Sequence, residues 1–409
     1  MTSIVNTDVK LYTSDMVNAP ALTNANGSFI ALLNAVLKEG FDVKSITSLN
    51  VAAGIATLTW TGSHSAIPHS VILVAGVTGG PAGFAGMNGE QKVQTKPSAS
   101  SCTFLTALPD GVYTGTITIK IASLGWESPF SSGTDKAVYR SADLAGTRMY
   151  LRVDDTYGSS VRLVGMETMS DINTGTGRFP TSSQSAGLPE GGGWWPKADA
   201  GAQPAPWVIV GDGRIFFYHT SSFVSNGSAY NNYIIGNLRG FGDLIALRPG
   251  GDPYACMLGV QQGPGSSYPT YGTLDSPSSN MNYLPRDWTG VGSSHPNYCM
   301  AYTGATNAVS GMDSTLGAFP SRIDGSLRVS RKFMSQYQGG DAPRADVPGV
   351  LSIPQTGLGG LQHKSLFDGT GEFAGRKLLG LVVSNGGPNQ VPSPANSGMI
   401  LVDVTGPWR

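Results

Sequence analysis

The stretch TGTITIKIA, residues 114–122, indicates most directly which kind of fold the chain adopts. Polar residues alternate in it with isoleucine, in the order Thr116, Ile117, Thr118, Ile119, Lys120 and Ile121. A period of two sends neighbouring side chains to opposite faces of a strand. The stretch therefore predicts a β-strand with one face toward water and the other toward a core.

Five shorter strands are predicted around this one, separated by turns rich in glycine and proline. They cover residues 46–51, 55–60, 70–75, 91–95 and 102–105. The turn signals are Ala53-Gly54, Gly79-Gly80-Pro81, Asn88-Gly89 and Pro109-Asp110-Gly111. Six short strands over about eighty residues are typical of a small β-barrel or sandwich, which we assign to residues 45–124.

Residues 1–44 are predicted to form an N-terminal arm with an extended start and one amphipathic helix at 28–39. Its apolar residues recur at three- and four-residue spacing: Phe29, Leu32, Leu33, Val36 and Leu37. Asn26 or Ser28 can cap the start, and Gly40 stands where a C-terminal glycine cap belongs. The apolar face must dock on either the next domain or a neighbouring subunit, and the sequence leaves both open.

Residues 125–409 are predicted to form a larger, loop-rich β domain. Strand-like runs occur at residues 149–154, 161–166, 207–210, 215–218, 378–383 and 399–404. Between them lie long stretches of Gly, Ser, Pro and Asn, such as 173–206 and 259–298, which favour functional or intermolecular surfaces. The fold class is therefore mainly β: an N-terminal arm with one short helix, a small β-barrel or sandwich, and a larger β domain.

The amino-acid composition limits the classes of partner that the chain is expected to bind. Charged residues make up 13% of the chain and its formal net charge is −1, so we predict no contact with nucleic acid, which usually requires a clustered basic excess. The densest basic group, Arg328, Arg331 and Lys332, is small. We predict neither a signal peptide nor a membrane span, because no basic start precedes an apolar run and no apolar stretch is long enough.

Three cysteines stand far apart at Cys102, Cys256 and Cys299. Their spacing fits no zinc site, and an odd number cannot all pair within one chain. We predict buried free thiols, as expected for assembly in a reducing cytoplasm. A disulfide between Cys256 and Cys299 is the alternative.

Several segments resemble a group of virion proteins from tailed phages and prophages of Gram-negative bacteria. They are SDMVNAP (14–20) with the helix that follows it, MNGE (87–90), GWESPF (125–130), AVYRS (137–141), LRVDD (151–155), METMSD (166–171) and DVTGPWR (403–409). The resemblance covers residues 1 to about 220 and the C-terminal end. It implies a structural protein of the virion, assembled in the host bacterial cytoplasm and placed in the tail or baseplate, whose partners are copies of itself and neighbouring phage proteins. A capsid decoration protein is an alternative.

Catalytic patterns are weak, and we predict no enzyme, no cofactor and no metal site. The best enzymatic alternative is a glycosidase, which needs two facing carboxyls, from Asp154, Asp155, Glu167 and Asp171. We prefer aspartates that bind local backbone N–H groups at a strand end, and a calcium ion held by the same carboxylates is a further alternative. His64 and His69 stand five residues apart, so they face opposite sides of a strand unless a turn intervenes; we predict turn or core histidines.

Aromatic residues crowd the central third of the chain. They are Trp194, Trp195, Trp207, Tyr218, Tyr230, Tyr233, Tyr254, Tyr268, Tyr271, Tyr283, Trp288 and Tyr298. Three uses stay open: filling the core, packing against other subunits, and stacking on the sugar rings of a host surface glycan. Trp194 and Trp195, between Gly193 and Pro196, predict an irregular loop or interface anchor. The predicted contact residues are Phe29, Leu33, Leu37, Trp194, Trp195, Trp288 and Trp408.

Overall fold

A computed structural model describes residues 3–185, 192–198, 204–220, 237–261, 274, 281–302, 324–337, 342–353, 362–384 and 397–409. Within them the chain is mainly β, with antiparallel sheets and one short helix, which confirms the predicted fold class. The aromatic residues Tyr230, Tyr233, Tyr268 and Tyr271 lie outside the described residues.

The N-terminal arm contributes strand β1, Lys10–Thr13, and helix α1, Ser28–Leu33. The helix continues as a π-helical turn, Asn34–Glu39, so the predicted span of 28–39 is helical but changes type half-way. Gly40, with φ 75°, ends it as predicted. The apolar face docks inside the same chain, which decides between the two partners that the sequence left open.

The predicted helix cap is wrong. Gly27 occupies the N-cap position, and neither Asn26 nor Ser28 caps the helix. Instead, Asp155 accepts hydrogen bonds from the backbone N–H groups of Phe29, at 2.8 Å, and Ile30, at 3.4 Å. A carboxylate there satisfies donors that have no partner within the helix and complements its dipole.

A seven-stranded sheet follows, in the order β5-β4-β8-β2-β3-β7-β6. Its apolar residues alternate onto one face and enter the central core, as the alternation in 114–122 predicts. The strands are β2 Phe41–Ala52, β3 Ile55–Trp60, β4 Val71–Gly79, β5 Gly89–Lys92, β6 Thr95–Ser98, β7 Ser101–Leu105 and β8 Gly111–Ile121. A 3-10 turn, Phe84–Met87, lies between β4 and β5.

A five-stranded sheet comes next, in the order β15-β12-β11-β10-β9, with a two-stranded ribbon beside it. The sheet strands are β9 Trp126–Ser132, β10 Lys136–Ser141, β11 Tyr150–Asp154, β12 Ser160–Met166 and β15 Gly193–Pro196. The ribbon strands are β13 Thr168–Met169 and β14 Gly175–Thr176.

The third sheet has 13 strands and runs β1-β16-β17-β18-β20-β21-β22-β23-β24-β27-β26-β25, with β19 paired to β24. Its further strands are β16 Trp207–Gly211, β17 Ile215–Thr220, β18 Asn237–Asp243, β19 Ile245–Ala246, β20 Cys256–Gly259, β21 Asn282–Leu284, β22 His295–Ala301, β23 Ser330–Ser335, β24 Pro343–Ser352, β25 Leu366–Asp368, β26 Lys377–Ser384 and β27 Ser397–Asp403. A 3-10 turn, Gly371–Phe373, lies between β25 and β26.

Strand β17 separates two hydrophobic cores. Phe216 and Tyr218 point into the core shared by helix α1 and the two smaller sheets. Ile215 and Phe217 point into a second core, inside the large sheet. The large sheet curls strongly enough that the imidazole Nε2 of His219 in β17 lies 2.9 Å from the carbonyl oxygen of Val382 in β26.

A buried lysine joins parts of the chain that are far apart in sequence. The Lys92 ammonium donates to the carbonyl oxygens of Val9 at 2.9 Å, Val404 at 2.6 Å and Thr405 at 3.2 Å. Burial lowers the pKa of Lys92 to about 8. The predicted segments 1–44, 45–124 and 125–409 are thus tied together by this contact and by the central core.

The three cysteines are buried and free, as predicted. Burial raises the pKa of the Cys102 thiol to about 12, so the thiolate form is scarce at neutral pH.

Candidate interaction surface

Most of the predicted contact residues lie inside the chain. Phe29, Leu33, Leu37, Trp194 and Trp195 are buried in it. Trp408 is half-buried; its indole Nε1 donates to the carbonyl oxygen of Asp403 at 2.9 Å, and its ring packs against Phe217. Trp288 is 42% exposed. Of the seven, Trp288 is thus the most exposed and the one that a partner can reach.

The prediction of an irregular loop at Trp194 and Trp195 is wrong, because both belong to strand β15, paired with β12. Trp195 stacks on Tyr218, with ring centroids 5.4 Å apart, and its Nε1 donates to the carbonyl oxygen of Gly259 at 2.5 Å. Gly193 permits this packing, since a Cβ there would lie 2.2 Å from Val260. Pro196 is tolerated because it ends an edge strand.

Trp288 stands in a tight turn that is ordered by its own side chains. The Asp287 carboxylate accepts from the backbone N–H of Thr289 at 2.8 Å and from its hydroxyl at 2.5 Å. Gly290 has φ 75° and lies against the ring of Tyr254. The backbone N–H of Trp288 donates to the side-chain oxygen of Gln336 at 3.1 Å. These contacts fix the backbone at Trp288 and leave its indole exposed.

Two arginines, Arg286 and Arg344, support this turn through ion pairs and hydrogen bonds. Arg286 forms two hydrogen bonds of 2.8 Å to the carboxylate of Glu167, and its guanidinium lies 4.5 Å from the ring centre of Tyr254. Arg344 is fully buried, pairs with Asp252 at 2.9 Å, and donates to the backbone carbonyl of Arg286. Bidentate, charge-assisted hydrogen bonds such as those of Arg286 are among the stronger hydrogen bonds in proteins.

The exposed side chains around this turn form what we call the Trp288 surface: Leu247, Arg248, Trp288, Val291 and Tyr337. All but Arg248 are large apolar or aromatic side chains that stand at least 40% exposed. The Arg248 guanidinium lies 6.0 Å from the Trp288 ring centre. The sequence predicted Trp288 as a contact residue. It could not predict the ion pair that supports the turn, because Glu167 and Arg286 are 119 residues apart.

The carboxylates considered for glycoside hydrolysis each have a separate partner. Asp154 accepts from Thr156, as the local-turn interpretation predicts. Asp155 is buried against Lys197, and Glu167 is paired with Arg286. Asp171 accepts from the backbone of Asn173 and Thr174. The geometry thus assigns these four side chains to local structure and bracing.

The predicted turn and core histidines are found as such. His64 is buried, its Nε2 donates to the carbonyl oxygen of Asp42 at 2.8 Å, and its Nδ1 accepts from the N–H of Ala66 at 2.9 Å. His69 has a positive φ of 70° in the turn before β4. Among the described residues, no group of three or more His, Cys, Asp or Glu side chains could hold a metal ion.

A second histidine pair, His219 and His363, binds the backbone of one residue, Val382. His219 donates to the carbonyl oxygen of Val382, and His363 Nδ1 accepts from the N–H of Val382 at 3.3 Å. Burial lowers the pKa of His219 to about 4, and burial with the nearby positive charge of Lys364 also lowers that of His363. Both rings are therefore neutral in the folded chain at neutral pH.

This pair predicts a loss of stability in mild acid. Histidine in the unfolded chain binds a proton near pH 6.5, whereas His219 in the folded chain binds one only near pH 4. Stability therefore falls as the pH drops through this window. The His219 contribution between pH 7 and pH 5 is about 2 kcal/mol. Urea unfolding at both pH values should show a loss that is smaller by about this amount in His219→Gln. Equal losses in the two proteins would contradict the assignment.

The chain was then compared with known proteins. No model of a protein family matches the sequence, and no curated protein matches it. Among the described residues, none of the helices combines the length and apolar character required to cross a membrane.

Proposed function

We propose that this chain is a structural subunit of a tailed bacteriophage particle, in the tail or baseplate, that works by binding copies of itself and neighbouring virion proteins. The observation that supports this most is the Trp288 surface. A Trp beside an Arg, exposed but held by a rigid frame, is the composition typical of binding hot spots. Preorganisation matters because an ordered turn loses little backbone entropy when a partner binds it.

The segments that carry the resemblance to phage virion proteins contact one another. The segment 151–155 caps helix α1 through Asp155. Trp126, from 125–130, and Arg409, from the last segment, both bind Asp212: the indole donates to its carbonyl oxygen at 3.3 Å and the guanidinium to its carboxylate at 3.1 Å. Several of the resembling segments thus hold this architecture together, which favours a fold shared with those proteins.

The proposal predicts that Trp288→Ala impairs particle assembly. A phage that lacks this gene would be complemented with the wild-type chain, with Trp288→Ala, or with Leu144→Ala as a matched control, since Leu144 is 81% exposed elsewhere on the molecule. Losing one hot-spot aromatic weakens a contact by about 2 kcal/mol or more, so we expect at least a tenfold loss of infectious titre with incomplete particles. Full titre and complete particles for Trp288→Ala would contradict the assigned surface.

A receptor-binding role is the second candidate, because an exposed indole flanked by a cation can stack on a sugar ring. The same complementation separates the two roles. If Trp288→Ala yields complete particles that fail to adsorb to host cells, and the purified wild-type chain binds host glycan, the receptor-binding role replaces the structural one.

A further inference from the structure

Two long stretches of the seven-stranded sheet are nearly free of charge; the charged residues of its strands lie outside them, at Asp42, Lys44, Glu90, Lys92, Lys96 and Lys120. Between Ser45 and Gly89 the sequence contains no Asp, Glu, Lys or Arg, and between Pro97 and Ile119 Asp110 is the one charged residue. All of these residues are described by the structure. Protein surfaces that stay in water usually carry charges of both signs. An uncharged stretch of this length, folded into one sheet, therefore requires an explanation.

The face of this sheet that points away from the core is lined with hydroxyl groups. Leu49 and Val51 enter the core, whereas Asn50 between them is exposed. Asn50 begins a row of paired residues that crosses the sheet. In this row Asn50 pairs with Thr57, Thr57 with Thr103, and Thr103 with Thr95. We call this the hydroxyl face.

Many of these hydroxyls already bind each other. The oxygen atoms of Thr47 and Thr59 lie 2.9 Å apart, those of Ser48 and Thr59 2.6 Å, and those of Thr95 and Thr103 2.7 Å. Covering the face would thus leave few polar atoms without a partner, which is the main penalty for burying polar groups.

Apolar side chains extend the hydroxyl face at the end of the sheet where the hairpin turns lie. Val112 is 63% exposed, and Ile55 stands at the same end of the sheet. The one carboxylate nearby, Asp110, accepts from the backbone N–H of Ala53 at 3.0 Å and so has a local role. Exposed apolar residues beside an uncharged polar face make a surface that loses little by leaving water.

We propose that the hydroxyl face binds the hydroxyl face of a second copy of this chain. The argument is one of charge complementarity. A charged partner would bury ions without counter-ions, which is strongly unfavourable, whereas another uncharged, internally hydrogen-bonded face has no such penalty. This chain itself presents such a face. The two copies are then related by a two-fold axis, because the same surface is used on both sides.

The residues of edge strand β6 disfavour edge-to-edge pairing, which is the other way in which two sheets can associate. Edge strand β6 contains Lys96 and Pro97, and proline cannot donate to a further strand. Pairing of two chains through β6 is therefore disfavoured, so at this end of the sheet two copies would meet face to face, about 10 Å apart. The inference rests on the proposed function in so far as both place the chain in an assembly, and it adds the partner and the surface.

The test uses the purified full chain and two variants of it, one with two positive charges and one with two negative charges on the hydroxyl face. Asn50 and Thr116 are both exposed, so substitution leaves the core intact. One variant carries Asn50→Lys and Thr116→Lys, and the other carries Asn50→Glu and Thr116→Glu. Sedimentation equilibrium measures association at concentrations up to about 100 μM, where a contact of modest size is still detected. Ser131→Lys with Thr134→Lys, on exposed residues of the five-stranded sheet region, is the control.

We expect the wild-type chain and the control to dimerise, and each charge variant to bind itself at least tenfold more weakly. A mixture of the Lys and Glu variants should form a mixed dimer, because opposite charges then face each other. A chain that stays monomeric, a dimer unaffected by either variant, or a mixture without mixed dimers would overturn the inference. A monomer in solution that is nevertheless found in particles would remove this inference alone, whereas a dimer absent from particles would remove the proposed function alone.

Discussion

Replacing Lys197 with methionine is expected to lower the free energy of unfolding by about 3–5 kcal/mol. Lys197 and Asp155 form an ion pair of 2.6 Å in which neither side chain is exposed. The ammonium also donates to the carbonyl oxygen of Ala25 at 2.8 Å. Methionine keeps an unbranched side chain of nearly the same length but leaves the Asp155 carboxylate buried without its counter-ion. That carboxylate also caps helix α1, so the helix should loosen with it.

Lys136→Met is the matched control for this experiment. Lys136 lies 3.9 Å from Asp154, the residue next to Asp155, but its side chain is 36% exposed. An exposed pair contributes at most about 1 kcal/mol. Urea unfolding of both variants at neutral pH measures the difference. A Lys197→Met variant as stable as Lys136→Met would mean that Asp155 is not held as the structure describes.

Trp195→Ala is expected to cost about 3–5 kcal/mol of stability, because a large buried side chain leaves a cavity that its surroundings cannot fill. Its ring stacks on Tyr218 and makes edge contacts with Phe29 at 6.0 Å and Phe216 at 5.9 Å. It therefore joins helix α1, strand β15 and strand β17. The measurement is again urea unfolding of the purified chain.

Trp288→Ala provides the comparison, since Trp288 is 42% exposed and its removal leaves no enclosed cavity. We expect a change within about 0.5 kcal/mol, as is usual for surface positions. The pair thus separates a core tryptophan from a contact tryptophan. Similar losses of stability in the two variants would contradict the assignment of different roles to them.

Local patterns in the sequence predicted local structure well. The predicted strand at 55–60 matches β3, and the alternation in 114–122 identified most of β8 and its buried face. The helix was found in the predicted span because its apolar spacing depends on neighbouring residues alone. Trp194 and Trp195 were misread because their flanking Gly193 and Pro196 indicate a turn, while the partner strand β12 that makes them a strand lies about thirty residues away in sequence.

Long-range partners could not be predicted from spacing. The helix cap is supplied by Asp155, 126 residues from Phe29. The Trp288 surface was anticipated through its tryptophan, but the pairs of Glu167 with Arg286 and of Asp252 with Arg344 depend on how distant strands meet. The hydroxyl face combines both cases: the absence of charge is a property of the sequence, whereas its location on one side of a sheet follows from the strand pairing.

We propose that this chain acts through surfaces that bind copies of itself and other proteins of a phage particle. The most direct test is an electron-microscopy map of the particle encoded with this chain, at a resolution that traces side chains. We predict density for the chain in the tail or baseplate, with Trp288 buried against a neighbouring chain. Particles that lack the chain altogether, or copies in which Trp288 faces only solvent, would contradict the account.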